Sequence, residues 1–320
     1  MKSLLHTLVA VCATFISVAA SAQSYPNKPI TIVVPFGPGS GTDVITRIVA
    51  QSLGSALNQG IVVENKVGAN GAIAATAVAR SAPDGYTILM STNSPHSAAP
   101  SLNKTISYDP VKDFAAITRV GSFTIILVVD GRTPFKSVPE LVAFAKANPG
   151  KLSYGTGNTA GIVSGVLFKQ WAGIDIVNVP YKTVPQVITD VLGGQIPMLF
   201  TDLSPSLPHF ATGALRPLAN TRIQRSALLP NVPTLNELGA TNFDVDPWAG
   251  LFAPAGTPPD IINRLNAEVR KILDDPKVKE QVAKVGFEAF TGTPAELDAY
   301  VKVQLIKWTK MIKDAGIQPE

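Results

Sequence analysis

Short apolar runs rich in β-branched residues alternate along the chain with stretches whose apolar positions recur every three or four residues. The first series reads ITIVVPF (30–36) then TDVITRIVAQSLGSAL (42–57), GIVVENK (60–66) then ANGAIAATAVARSA (69–82), and YTILMST (86–92) then SPHSAAPSL (94–102). This alternation predicts βα units feeding a mostly parallel sheet. A second series starts at TIILVVD (124–130) and SVPELVAFAKANP (137–149). It continues through KLSYGTG (151–157) with a helix ending at VLFKQWAG (166–173), DIVNVPY (175–181) with VPQVITDVLGG (184–194), and PMLFTD (197–202) with PSLPHFATGAL (205–215) and RPLANT (216–221). Two series predict two α/β lobes. The C-terminal part is mainly helical, over 258–275, 276–286 and 293–316, with a Thr, Asp or Pro near each start.

In an open parallel sheet the ligand crevice lies at the carboxyl ends of the strands. Four βα loops there are rich in small or hydroxyl residues: 35–43, 91–96, 154–161 and 200–204, two in each predicted lobe. The first, PFGPGSGTD, opens a helix, so its glycines either permit a tight turn or leave N–H groups bare for an anion. It fails the P-loop pattern, with no Lys-Ser or Lys-Thr pair, and the dinucleotide spacing, with Thr42 where the third Gly belongs. Without Arg or Lys inside it, the loop suits a carboxylate held by backbone dipoles, the hydroxyls of Ser40 or Thr42, and water. Asp43 falls in the first helical turn, where it complements the helix dipole or meets the ligand.

Composition narrows the function classes. The 320 residues are 46% hydrophobic and 16% charged, enough for a sizeable core. Residues 1–22 read as a secretory leader: Lys2, an apolar stretch from Leu8 to about Ala20, and the small-residue end Ala20-Ser21-Ala22 before Gln23. The stretch is too short for a membrane anchor, and Val11 is too bulky before a lipidated Cys12. Cleavage removes Cys12, the only cysteine, and leaves no disulfide or thiol chemistry. The formal charge of +4 is evenly spread and excludes a nucleic-acid footprint. The expected compartment is a bacterial periplasm.

Enzyme chemistry finds little support. There is no Gly-x-Ser-x-Gly elbow, no metal-ligand spacing and no cofactor motif. His96 and His209, the histidines left after cleavage, fall in different predicted lobes, and Asp244 and Asp246 sit in a polar turn. Phe36, Tyr181 and Trp248, near strand ends, serve either as core or as the apolar wall of a pocket.

The stretches YPNKPITIVVPFGPGSGTD (25–43), IVVENKVGANGAIAA (61–75), APDGYTILM (82–90), YDPVKDFAAIT (108–118), VPYK (179–182), LPNVPTLNELG (229–239) and WAGLFAPAGTPPDIINRLN (248–266) span nearly the whole mature chain. In them the chain resembles the substrate-binding proteins of tripartite tricarboxylate transporters, the Bug receptor family. The resemblance implies an α/β two-lobe periplasmic binding protein of the Venus-flytrap type. Lobe one would comprise 23–125 and 248–320, and lobe two 126–247. It implies a ligand carboxylate on the first βα loop, Phe36, Gly37, Gly39, Ser40, Gly41, Thr42 and Asp43, with Thr92 and Asn93. Thr156, Asn158, Tyr181, Thr201 and Asp202 would face them from lobe two. The chain departs from the family at Ser40-Gly41, where two glycines are usual, in a shortened 154–168 stretch, and after Tyr181-Lys182, where Thr183-Val184-Pro185 replaces a small-residue segment.

The resulting expectation is a monomeric periplasmic solute-binding protein for a small organic carboxylate, serving membrane transporter subunits, with no metal, cofactor or catalysis. The moderately polar second lobe favours one carboxylate on an aromatic body near Phe36 and Tyr181. Lys182, if it faces the cleft, readmits dicarboxylates. The rivals are a secreted esterase using His96 or His209 as base, and an adaptor that binds a protein partner.

Overall fold

The computed structural model describes residues 25–241 and 243–319. The expected leader, Cys12 and the cleavage point before Gln23 lie outside the described residues. One sheet contains β1 (Ile30–Val34), β2 (Ile61–Asn65), β3 (Thr87–Thr92), β4 (Phe114–Phe123), β10 (Trp248–Pro254) and β11 (Phe287–Ala289), in the order β11-β4-β10-β3-β1-β2. The other contains β5 (Ile125–Asp130), β6 (Leu152–Thr156), β7 (Ile176–Pro180), β8 (Met198–Asp202) and β9 (Leu215–Asn220), in the order β7-β6-β8-β5-β9. Helices flank both sheets, and the fold is the expected α/β two-lobe one.

The sheets are not mostly parallel. Four strand pairings are parallel and five are antiparallel. The cause is the double crossing between sheets. Strand β4 ends at Phe123 and β5 starts at Ile125, and the chain returns through Pro247 into β10, antiparallel to both β3 and β4. The two crossings touch, since the Phe123 N–H donates to the Pro247 carbonyl at 2.9 Å.

The helices follow the sequence periodicity closely. In α1 (Gly41–Leu57), Ile45, Val49, Leu53 and Leu57 are buried on one stripe, and the helix stops at Asn58, whose left-handed backbone (φ 51°) caps the last turn. Helix α2 (Ala72–Ala79) contributes Ala74, Ala75 and Val78 to the core. SPHSAAPSL is helical only in part: a π-helical turn, Ser94–Ala98, runs into the one-turn α3 (Ala99–Leu102). Pro95 and Pro100 supply no N–H donors, which breaks the regular hydrogen-bond ladder there.

The second lobe carries α4 (Val138–Ala147), α5 (Thr159–Ala172), α6 (Val184–Leu192) and α7 (Leu203–Ala211), and the chain ends in α8 (Pro259–Asp274), α9 (Pro276–Lys284) and α10 (Pro294–Asp314). Helix α10 spans both cores. Its Leu297 and Val301 pack with Trp248 and Phe252 against the first sheet. Two turns on, Trp308 and Ile312 join the cluster that contains Val163, Phe168 and Phe200 of the second.

Candidate functional site: a cleft between two sets of loops

The loops after β1, β2 and β3 meet those after β6, β7 and β8 across a cleft. The loop after β1 is held by its own side chains. Ser40 caps α1 by accepting from the Asp43 N–H. The Asp43 carboxylate accepts from the Gly39 N–H at 2.9 Å, Asn65 Nδ2 at 2.9 Å and Arg47 Nε at 3.0 Å. Burial opposes its ionisation, but the hydrogen bonds from Arg47, Gly39 and Asn65 outweigh that and hold its pKa below the usual carboxylate range. Asn65 Nδ2 also donates to the Phe36 carbonyl at 2.7 Å. Asp43 is therefore engaged in shaping the loop, and Arg47, one helical turn on, balances its charge.

The glycines of this loop face the second lobe. A Cβ on Gly37 would stand 2.7 Å from Thr183 Cγ2, and one on Gly41 would stand 3.2 Å from Asp202 Cβ. Bare backbone at these positions permits close approach of the lobes. Gly39 has a positive φ of 79°, so there the turn itself calls for glycine.

Two cavities lie between the loops. The larger encloses about 440 Å³. Of the expected residues, Phe36, Thr156, Asn158 and Tyr181 line it, together with Gly68–Gly71, Leu102, Asn103, Tyr154, Ile162, Val166, Asn178, Lys182, Ile317 and Gln318. Lys182 is the one cation in this lining. The smaller cavity, of about 10 Å³, has room for about one water molecule. Phe36, Thr42, Thr92, Asn93, Asn158 and Asp202 line it, with Ser94, Phe123, Ala160 and Pro247. Gly37, Gly39, Ser40, Gly41, Asp43 and Thr201 border neither cavity; the Thr201 hydroxyl donates to the Asp202 carbonyl. A groove of about 730 Å³ along α1 and β2, around Arg47, Asn58 and Ile61, includes none of the four loops.

Sequence reasoning missed the 68–71 loop, Asn103, Asn178 and the C-terminal Ile317-Gln318 segment. Ala69 and Asn70 both have positive φ (45° and 50°), and the VGANGA stretch carried that turn signal. Asn178 interrupts an apolar strand, where it accepts from Thr156 Oγ1 at 2.9 Å. For Ile317 and Gln318 the sequence carried no signal.

Burial decides the histidines and the tryptophan. His96 is fully buried, stacked on Phe252 with ring centroids 4.0 Å apart, and 2.6 Å from Ser91 Oγ through Nδ1. Burial pushes its pKa down to about 3, so it is a neutral ring in an aromatic core and a poor general base. His209 lies on α7 and borders neither cavity. Trp248 is fully buried, edge-on to Tyr300, and serves as core. Tyr181 is a cleft residue whose hydroxyl donates to Asp190 at 2.6 Å.

With this geometry in view, comparison with known proteins gives a consistent result. Residues 45–317 match the family model described as tripartite tricarboxylate transporter family receptor. The chain is 35% identical over 318 residues to Protein BugT of Bordetella pertussis, covering 97% of each chain. Among solved structures it superposes on R. palustris Rpa4515 with adipate at a TM-score of 0.90, with 32% identity over 92% of this chain and 100% of that one. It also superposes on MatC of Rhodopseudomonas palustris with bound malate at a TM-score of 0.84, with 28% identity over 90% of this chain and 100% of that one. This chain belongs to the tripartite tricarboxylate transporter receptor family.

Proposed function

We propose that this protein is a periplasmic solute-binding protein that takes a small dicarboxylate into the interlobe cleft and delivers it to tripartite tricarboxylate-type membrane subunits. The observation that carries the reading is a single cation, Lys182, lining a cavity of ligand size that shares Phe36 and Asn158 with the small cavity beside the anion-compatible start of α1. Ser40 caps the Asp43 N–H of α1, which leaves the N–H groups of Gly41 and Thr42 at the positive end of the helix dipole. A carboxylate belongs there. Phe36, Leu102, Ile162 and Val166 offer apolar contact to the ligand body, and Lys182, which forms no ion pair among the described residues, offers its charge to a second carboxylate. That Lys182 lines the cavity moves the preference from an aromatic monocarboxylate to a dicarboxylate with an apolar middle. The adipate and malate of the two structural relatives agree with it.

The roles assigned to Phe36–Asp43, Thr92, Asn93, Thr156, Asn158, Tyr181, Thr201 and Asp202 belong to this proposal. So do a monomeric state, the absence of catalysis, and a division into 23–125 plus 248–320 and 126–247. Export through residues 1–22 belongs to it too. Among the described residues no helix is long and apolar enough to cross a membrane. The intact mass of protein recovered from its native compartment is expected to correspond to a chain starting at Gln23, and a mass retaining Met1 contradicts export.

A thermal-shift comparison of adipate with hexanoate tests the ligand class. A ligand at about 100 times its dissociation constant stabilises the protein by about 2.7 kcal/mol, which is readily seen. Lys182 is exposed, so Lys182→Ala folds normally. It is expected to weaken adipate roughly tenfold to a hundredfold, the loss of one charge-assisted bond, with little effect on hexanoate. Equal effects on both, or none on either, remove Lys182 from the site.

A further inference from the structure

Asp202 occupies the N-cap position of α7, yet its side chain makes no cap hydrogen bond to that helix. An aspartate there ordinarily accepts from the N–H groups two or three residues on. Instead the carboxyl turns across the cleft to the first lobe, where its Cβ, Cγ and Oδ2 lie 3.2–3.3 Å from the point a Cβ on Gly41 would occupy. It thus stands beside the start of α1, where a ligand carboxylate would sit. Asn158 Nδ2 is its hydrogen-bond partner, at a long 3.4 Å. A second feature of the same small cavity points to an acceptor. Asn93 lines it, is 2% exposed, and has its Nδ2 buried without a partner among the described residues.

We propose that Asp202 carries a proton and donates it in a hydrogen bond to the ligand carboxylate seated at the start of α1, so that carboxylate binding takes up one proton from solvent. The inference rests on the carboxylate-binding reading above and adds the means by which two carboxyl groups share one buried site. Two carboxylates at hydrogen-bond distance, with no cation between them, exist together only when one is protonated.

The charged groups on the surrounding elements leave Asp202 uncompensated. From α1, Asp43 and Arg47 are engaged with each other and with Asn65. From the turn after β3, His96 is shut into the aromatic core. Beside Pro247, Asp246 pairs with Arg222, which also holds Glu288 of β11. From α5 the nearest contribution is the neutral Asn158, on α7 itself His209 lies two turns along, and Lys182 lines the larger cavity and not the smaller one. Burial alone pushes the Asp202 carboxyl up to about 7. An ionised ligand beside it raises it further. When the lobes separate, exposure to water returns it toward the ordinary range, so the proton enters on closure.

The sign follows from linkage: a group whose pKa is higher in the complex than in the free protein makes binding stronger as pH falls. Titration calorimetry with adipate between about pH 6.5 and 8.5, where the probe is fully ionised, in buffers of different ionisation heat, reads both quantities. The expected result is uptake approaching one proton, with affinity falling by up to about tenfold per pH unit until the carboxyl of the complex itself ionises. Asp202→Asn, whose amide N–H donates without taking up a proton from solvent, is expected to bind adipate with pH-independent affinity and no proton uptake. Wild-type binding that is flat with pH and takes up no proton overturns the proposal and leaves carboxylate binding standing. So does a folded Asp202→Asn protein with wild-type pH dependence. Failure of both adipate and malate to bind at any pH overturns the proposal together with the carboxylate reading beneath it.

Discussion

A Gly41→Val protein is expected to fold as the wild type does and to bind its carboxylate more than tenfold more weakly. The backbone of Gly41 is an ordinary first helical turn and not a left-handed one, so valine adopts it without strain. What valine cannot share is the space toward the second lobe. Its Cβ alone would sit 3.2–3.3 Å from three atoms of Asp202, tighter than ordinary van der Waals contact, and two γ-methyl groups extend beyond it. The lobes would stop short, and the helix start would no longer be sealed from water. A charge-assisted hydrogen bond lost there costs about 1.5–3 kcal/mol, enough for the stated fall. Gly39 is the poorer test, since its positive φ makes any substitution strained before ligand enters the question. Circular dichroism establishes the fold and titration the affinity; an unchanged affinity in a folded Gly41→Val protein contradicts the closure geometry.

Trp308→Ala is the largest stability change expected, a loss of about 3–5 kcal/mol. Trp308 is fully buried, and its indole N–H finds no partner among the described residues, so its contribution is packing. It lies in the same apolar cluster as Val163, Phe168 and Phe200, while Leu297 and Val301 of the same helix pack on the first sheet. Truncation opens a cavity where α10 meets the second core, and the urea midpoint is expected to fall markedly. A midpoint near that of the wild type means that this half of α10 is not part of the core.

The strands that sequence pattern revealed are β1, β2, β3, β5 and β7, with their β-branched runs, and β6, β8 and β9, from their place in the alternation of short apolar runs with helical stretches. Those it did not reveal are β4, β10 and β11. The sequence of β10, WAGLFAP, is buried at all seven positions, so it shows no alternation, and Ala, Gly and Pro give it little intrinsic strand preference. Strand β4, FAAITRVGSF, is similarly poor in alternation, and β11 has only three residues. In the first sheet these are the strands that pair antiparallel around the crossings, so missing them hid its mixed character; in the second, the run of β5 was visible but its antiparallel pairing with β8 and β9 was not.

The lining of the candidate cleft was partly legible in the same way. Loops after strands carry hydroxyl and glycine signals, and Phe36, Thr42, Thr92, Asn93, Thr156, Asn158, Tyr181 and Asp202 all border one of the two cavities. The spacing of the glycines could not say what they face. Gly37 and Gly41 admit Thr183 and Asp202 of the other lobe, a relation between positions more than 140 residues apart. Likewise the sequence left Asp43 between complementing the helix dipole and meeting the ligand, because Asn65, which donates to it from another strand, is adjacent only in the fold.

The most direct test of the account is titration calorimetry of the mature wild-type protein with a panel of small mono-, di- and tricarboxylates. The expected result is one-to-one binding, tightest for a dicarboxylate with an apolar middle and weaker for a benzoate-like acid or citrate. A folded protein that binds no member of the panel contradicts it.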